Sequence, residues 1–158
     1  MSALPDARRL LDEAAAAMGN AHAPYSSFRV GAALLTETGA IFRGANVENA
    51  SYGLSLCAER AAVAGAVAAG HRRFRALAVV AGSPHRASPC GACRQVLAEF
   101  CDGGFPVHIA SASALDAFDT RTLDELLPHR FSLPTTRSRR SHDETHQDLC
   151  SRHQRPPA

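Results

Sequence analysis

Apolar residues recur at helical spacing near the start of the chain. Leu10, Leu11, Ala14, Ala15 and Met18 form one stripe over residues 5–18, and Gly19-Asn20 ends it. Pro5 suits the first turn of that helix. Residues 21–27, Ala-His-Ala-Pro-Tyr-Ser-Ser, read as a loop. From Phe28 to Leu35 the period changes to two, with Val30, Ala32 and Leu34 alternating against Arg29, Gly31 and Ala33. This predicts a strand, and Glu37-Thr38-Gly39 predicts the turn into a returning strand over 40–45.

Residues 46–55 are polar and rich in turn formers. A second helix is expected from Leu56 to Ala69; after Arg60 it is almost all alanine and valine, which predicts burial on every side. The continuous apolar run from Phe74 to Ala81 reads as a central strand covered on both faces. Residues 82–89 form a loop. A third helix follows over 91–101, with Val96, Leu97 and Phe100 inward. Gly103-Gly104 breaks it, a strand runs from Phe105 to Ala110, and a short helix covers 122–127 with Thr120 or Thr122 as its cap. Periodicity thus finds four strands, in the order α, β-hairpin, α, β, α, β, α. That order implies a mixed sheet with helices on its faces.

After Phe131 the pattern stops. Residues 132–158 are poor in apolar side chains and are expected to be disordered, and His142, His146 and His153 there read as solvated. The catalytic domain is therefore expected over residues 1–131. Charge divides at the same place. Residues 1–131 hold 12 Arg and 12 acidic residues, which cancel; residues 132–158 hold 5 Arg and 3 acidic residues and supply the whole net charge of +2. A neutral folded part does not predict a nucleic-acid surface. No apolar run approaches the ~18 residues of a membrane span. The first residues show no basic stretch followed by an apolar one, so a cytoplasmic location is expected.

The candidate chemistry lies in the cysteines. Five of them, with no secretory pattern, argue against a disulfide framework. Cys101 reads as a small core residue and Cys150 as a free thiol in the polar tail. Cys57 stands two residues before Glu59, and Pro89-Cys90-Gly91-Ala92-Cys93 follows about thirty residues later. Three thiolates leave one position of a tetrahedral zinc open, the pattern of a hydrolytic site. Glu59 is too close to Cys57 in sequence to be an obvious fourth ligand and is well placed to handle protons. Cys57 opens one predicted helix and Cys90 and Cys93 open the next, so helix N-termini favour the thiolates. Arg60 and Arg94 are candidates to offset the excess negative charge by donating to the sulfurs. A structural zinc site with His85 or Cys101 as fourth ligand is the plainer alternative, and it leaves Glu59 without a role.

Other stretches extend the pattern. Phe28-x-Val30-Gly31-Ala32-Ala33, Asn46-Val47-Glu48-Asn49-Ala50-Ser51-Tyr52-Gly53, Cys57-Ala58-Glu59-Arg60 and Ser88-Pro89-Cys90-Gly91-Ala92-Cys93-Arg94-Gln95 together resemble the small, homotetrameric cytidine deaminases. The likeness runs from about residue 5 to Phe131. It implies a three-layer α/β/α fold with a mixed five-stranded sheet. It also implies one zinc per subunit on Cys57, Cys90 and Cys93, with Glu59 as proton shuttle. Asn46 and Glu48 would bond the ribose hydroxyls, within a substrate loop that includes Val47, Asn49, Ala50, Ser51 and Tyr52. Phe28 would pack on the pyrimidine, and the backbone near Ala58 would hold the base edge. Leu126-Leu127-Pro128-His129-Arg130-Phe131 matches a further family segment, which implies that Phe131 reaches a neighbouring subunit's site. The implied function is deamination of cytidine and 2′-deoxycytidine in pyrimidine salvage. The alternatives are deamination of a related cytosine-nucleoside small molecule and a noncatalytic zinc-stabilised binding module.

Overall fold

The computed structural model describes residues 3–84 and 86–133. The expected disorder of the tail beyond residue 133, Cys150, and His85 as a ligand lie outside the described residues. Among the described residues ten elements follow one another. Helix α1 (Ala3–Met18) leads into the hairpin β1 (Val30–Thr36) and β2 (Ile41–Ala45). A single 3-10 turn (Tyr52–Leu54) precedes α2 (Ala58–Ala68), β3 (Phe74–Ala81), α3 (Gly91–Phe100), β4 (Pro106–Ser111), β5 (Ala114–Thr122) and α4 (Leu123–Leu126).

The strands form one sheet in the order β2-β1-β3-β4-β5. Only β3 and β4 run parallel, joined through α3, so the sheet is mixed. Every residue of β1 is buried, because the strand has an apolar layer on each side. Val30, Ala32 and Leu34 face α2 and α3, with Leu77, Val79, Val107 and Ile109 beside them. Ala33 and Leu35 face α1, against Leu10, Leu11 and Ala14. The alternation read in the sequence is therefore an alternation between two cores rather than between core and solvent. Helices on both faces give the three-layer α/β/α architecture.

Two glycines set the layer spacing. A Cβ on Gly31 would lie 2.0 Å from the Ala14 carbonyl oxygen of α1, and one on Gly44 would lie 2.1 Å from the Ala58 carbonyl oxygen of α2. Both helices pass directly over bare backbone, and the second contact presses the first turn of α2 onto β2.

Three expectations change. Strand β5 has no counterpart in the sequence pattern. Its partly buried apolar residues, Leu115 and Phe118, are three apart and escape a period of two. A register shift between β4 and β5 accommodates that spacing. The strand expected from Phe28 begins at Val30, because Ser27 turns the chain with φ 58° and leaves Phe28 outside the sheet. Helix α2 is covered on one face alone: Ala62, Val63 and Ala66 are buried while Ala64, Gly65 and Ala68 are exposed.

Candidate active site

The two helices that carry the cysteines start at one end of the sheet. Cys57 is the N-cap of α2 and Cys90 the N-cap of α3, both in extended conformation, and Cys93 sits in the first turn of α3. The Sγ atoms of Cys57 and Cys90 are 3.9 Å apart, and those of Cys90 and Cys93 are 3.5 Å apart. All three lie within 4.8 Å of one another. A tetrahedral zinc with Zn–S bonds of about 2.3 Å needs sulfurs about 3.8 Å apart, so the triad fits that ion.

Electrostatics points the same way. Burial opposes ionisation of Cys90, yet hydrogen bonds from the Cys93 N–H, the Cys93 and Cys57 thiols and the Ala92 N–H pull its thiol below the ordinary value. Burial, and then the charge on Glu59, push the Cys93 thiol well up. Three thiolates so close together call for a cation among them. Cys101 is not part of the cluster. It closes the far end of α3, its side chain lies in the core, and burial pushes its thiol up to about 12.

Glu59, in the first turn of α2, is 5% exposed. Burial raises its carboxyl above the usual range, against hydrogen bonds from its own backbone N–H and from Cys93. Arg60 donates through Nη2 to the Cys57 sulfur at 3.5 Å and to the Ser55 carbonyl at 3.1 Å. Arg94 does not reach a sulfur. Its Nε donates to the Pro89 carbonyl at 2.7 Å, Nη1 to the Leu126 carbonyl at 2.7 Å and Nη2 to Ser88 Oγ at 3.1 Å. Its guanidinium is taken up instead by the segment before Cys90 and by the end of α4.

Cys57, Cys90 and Glu59 open into a cavity of about 480 Å³. Phe28, Asn46, Val47, Glu48, Tyr52 and Ala58 line it too. Loop 46–48 is held between two other segments. Val47 and Leu56 exchange backbone bonds of 2.9 Å, the Glu48 N–H donates to the His22 carbonyl at 2.8 Å, and the His22 N–H donates to the Asn46 carbonyl at 2.9 Å. The Asn46 side chain accepts from the Val30 N–H at 2.8 Å and donates to the Phe28 carbonyl at 2.9 Å. It thereby fixes the backbone on both sides of Arg29 and keeps one amide N–H for a ligand. Glu48 accepts from the Tyr25 N–H at 2.9 Å, the Ser26 N–H at 3.2 Å and the Ser26 hydroxyl. The hydroxyl is the main reason its carboxyl stays below the usual range.

Asn49, Ala50 and Ser51 do not line the cavity; they shape the turn behind it. The Asn49 N–H donates to Ser55 Oγ at 3.1 Å, and the Ser51 N–H donates to Asn49 Oδ1 at 2.8 Å. Phe131 is 68% exposed and is not among the residues lining the cavity of its own chain. Sequence reasoning missed Tyr25 and Ser26, which line the cavity and hold Glu48. The loop 21–27 has no periodicity to mark them, and only its return onto Glu48 reveals them.

The chain is similar to known proteins over most of its length. The profile of the cytidine and deoxycytidylate deaminase zinc-binding region matches residues 5–108. Cytidine deaminase of Sporosarcina psychrophila is 50% identical over 127 residues, covering 80% of this chain and 92% of that protein. Cytidine deaminase of Mycobacterium tuberculosis strain H37Rv is 43% identical over 129 residues, covering 81% of this chain and 91% of that one. The crystal structure of cytidine deaminase from Burkholderia pseudomallei superimposes with a TM-score of 0.75 at 44% identity, covering 83% of this chain and all of that one. With three clustered thiols, a buried glutamate beside them and these likenesses over most of its length, the chain belongs to the cytidine and deoxycytidylate deaminase family.

Proposed function

We propose that this chain hydrolyses cytidine and 2′-deoxycytidine to the corresponding uridine nucleosides and ammonia. The observation that carries the proposal is the placement of Glu59, buried yet lining a cavity that Cys57 and Cys90 of the three-cysteine cluster also line. Cys57, Cys90 and Cys93 would hold one zinc ion, which when bound supplies a Lewis acid that brings the pKa of water to about 7. Glu59 Oε takes one proton from the attacking water and delivers it to the ring nitrogen as the C–O bond forms; it then carries the second proton of that water to the amino group, which leaves as ammonia as the carbonyl forms. A carboxyl whose proton affinity burial has raised suits both transfers. Arg60 draws negative charge from Cys57 through its bond to that sulfur.

The rest of the cavity suits a nucleoside. The Phe28 face packs on a flat base, Val47 adds an apolar wall, and the Ala58 backbone at the start of α2 meets the base edge. Glu48 and the free N–H of Asn46 bond the ribose hydroxyls. Such a site discriminates against analogues that lack those hydroxyls. Tyr52 lines the cavity with Asn46 and Glu48, and the turn 49–51 shapes the loop that carries it.

The catalytic unit spans residues 1–131 and works as a homotetramer in which Phe131 completes a neighbour's site. Several exposed apolar groups support this reading: Ala64, Gly65 and Ala68 on α2, with Tyr52 and Leu54 in the turn before it and Phe131 beyond α4. The enzyme acts on a free nucleoside in the cytoplasm, in pyrimidine salvage. The net charge of 1–131 is zero, which does not suit nucleic acid, and among the described residues no helix is long and apolar enough to cross a membrane.

The direct test is to incubate the purified protein with cytidine and follow the ultraviolet change to uridine, with and without prior stripping by a strong chelator. Turnover that is lost on stripping and regained with zinc is expected. A zinc-replete protein that leaves cytidine intact would sink the proposal.

A further inference from the structure

The segment after α4 has no regular structure, yet its backbone is tied down. Arg94 donates to the Leu126 carbonyl at 2.7 Å, and Gln95 Nε2 donates to the Phe131 carbonyl at 2.9 Å. Arg130 adds bonds to the Cys101 carbonyl at 3.4 Å and to Asp124 at 2.8 Å. The arm Leu127–Phe131 is thus held at its base, next to its end and at its end, while the Phe131 ring projects into solvent.

Arg94 and Gln95 directly follow Cys93 in α3, and the same Arg94 fork holds the segment before Cys90 through the Pro89 carbonyl and Ser88 Oγ. Arg94 has no ion pair among the described residues. Its charge is spent on carbonyl and hydroxyl oxygens of two separate segments. A planar guanidinium with five donors spans two such segments, and an ammonium does not reproduce that geometry.

We infer that Arg94 and Gln95 are positioning residues that tie the cysteine loop 88–90 and the Phe131 arm to one point of α3, so that ligand loop and arm tip hold a fixed relation. Arg94 grips both segments, whereas Gln95 grips the arm alone. The consequence for turnover rests on the reading of Phe131 given above; the anchoring itself does not.

The difference between the two residues supplies the test, made on the full-length zinc-loaded enzyme. Three quantities are measured: hydrogen exchange of the amides in 127–133, the rate of zinc release to a chelator, and KM and kcat for cytidine. Gln95→Leu removes one neutral hydrogen bond and should speed arm exchange by about two- to tenfold. Zinc release should stay unchanged, and the effect on turnover should appear in KM rather than kcat. Arg94→Met should speed both arm exchange and zinc release, by about ten- to a hundredfold, and Arg94→Lys should fall between it and the parent. Gln95→Leu combined with Phe131→Ala should raise KM no further than Phe131→Ala alone. Arm exchange unchanged in both the Gln95 and Arg94 variants overturns the anchor. KM effects of Gln95→Leu and Phe131→Ala that multiply overturn the positioning role. If Phe131→Ala leaves KM unchanged, the reading of Phe131 fails instead, and the anchor stands or falls on the exchange and zinc-release rates. If Arg94→Met does not fold, Gln95→Leu decides the arm on its own.

Discussion

Glu59 is the residue on which the proposed chemistry turns. It lies in the first turn of α2, two positions after a cysteine of the cluster, and it is nearly sealed from solvent. A carboxylate in that place is costly unless it is used, because burial favours its neutral form. Glu59→Gln keeps the shape and removes proton transfer. It should retain zinc while cytidine turnover falls by about 10²–10⁴-fold. Metal content by mass spectrometry and steady-state rates check this, and near-parental turnover of a zinc-loaded variant would remove Glu59 from the mechanism. Asn46 and Glu48 show the complementary logic. Each is already bonded to the loop 22–30, so each both shapes the cavity and presents spare capacity to a ligand.

At the scale of elements, the site depends on where α2 and α3 begin. Cys57 and Cys90 are the N-caps of the two helices, and their sulfurs lie 3.9 Å apart, with the Cys90 sulfur also facing the N–H groups of Ala92 and Cys93 in the first turn of α3. Gly44 fixes the height of α2 above the sheet. In Gly44→Ala the new Cβ would meet the Ala58 carbonyl and, at 2.5 Å, the Ala62 nitrogen. Backbone does not yield as a side-chain tip does, so a loss of about 1–3 kcal/mol or more is expected. Because the clash falls on the turn that bears Cys57 and Glu59, zinc affinity should fall together with thermal stability. Thermal melts and a zinc competition titration measure the two, and a variant with parental values for both would show that the contact relaxes without cost. Helix α4 is secured differently, by a reciprocal capping box between Thr122 and Glu125 that starts the path to the Phe131 arm.

At the scale of the whole molecule, one histidine among the described residues is buried, and the proposed chemistry does not use it. His108 on β4 faces the α1 side, with Nδ1 2.9 Å from Thr120 Oγ1 and its ring edge-on to Phe118. Burial lowers its pKa from the ordinary value of 6.5. As pH falls through that value the unfolded chain takes up the proton first, so stability present above about 6.5 is lost progressively until the folded form also titrates. The parent should therefore lose more thermal stability between pH 8 and pH 5 than His108→Gln does. Acid release of zinc affects both proteins alike, so the difference isolates His108. Parallel melting profiles would show that the ring contributes nothing to pH dependence.

Much of the fold was legible because its signals are local. The stripe Leu10-Leu11-Ala14, the run Phe74–Ala81 and the Gly103-Gly104 break each state an element within a few residues. The edge strand β5 was not legible, because its sparse apolar residues are spaced to suit a register shift against β4. Of the candidate site, the sequence by itself determined the ligand chemistry. The spacing of Cys57, Glu59, Cys90 and Cys93 and their place at helix starts require only local geometry. The tertiary structure alone decided what surrounds them. Burial of Glu59, the hold of Tyr25 and Ser26 on Glu48, and the turn of Arg94 toward Pro89 and Leu126 are contacts between segments far apart in the chain. No periodicity encodes such contacts; they exist only once two apolar layers have closed on the sheet and brought the loops to one end of it.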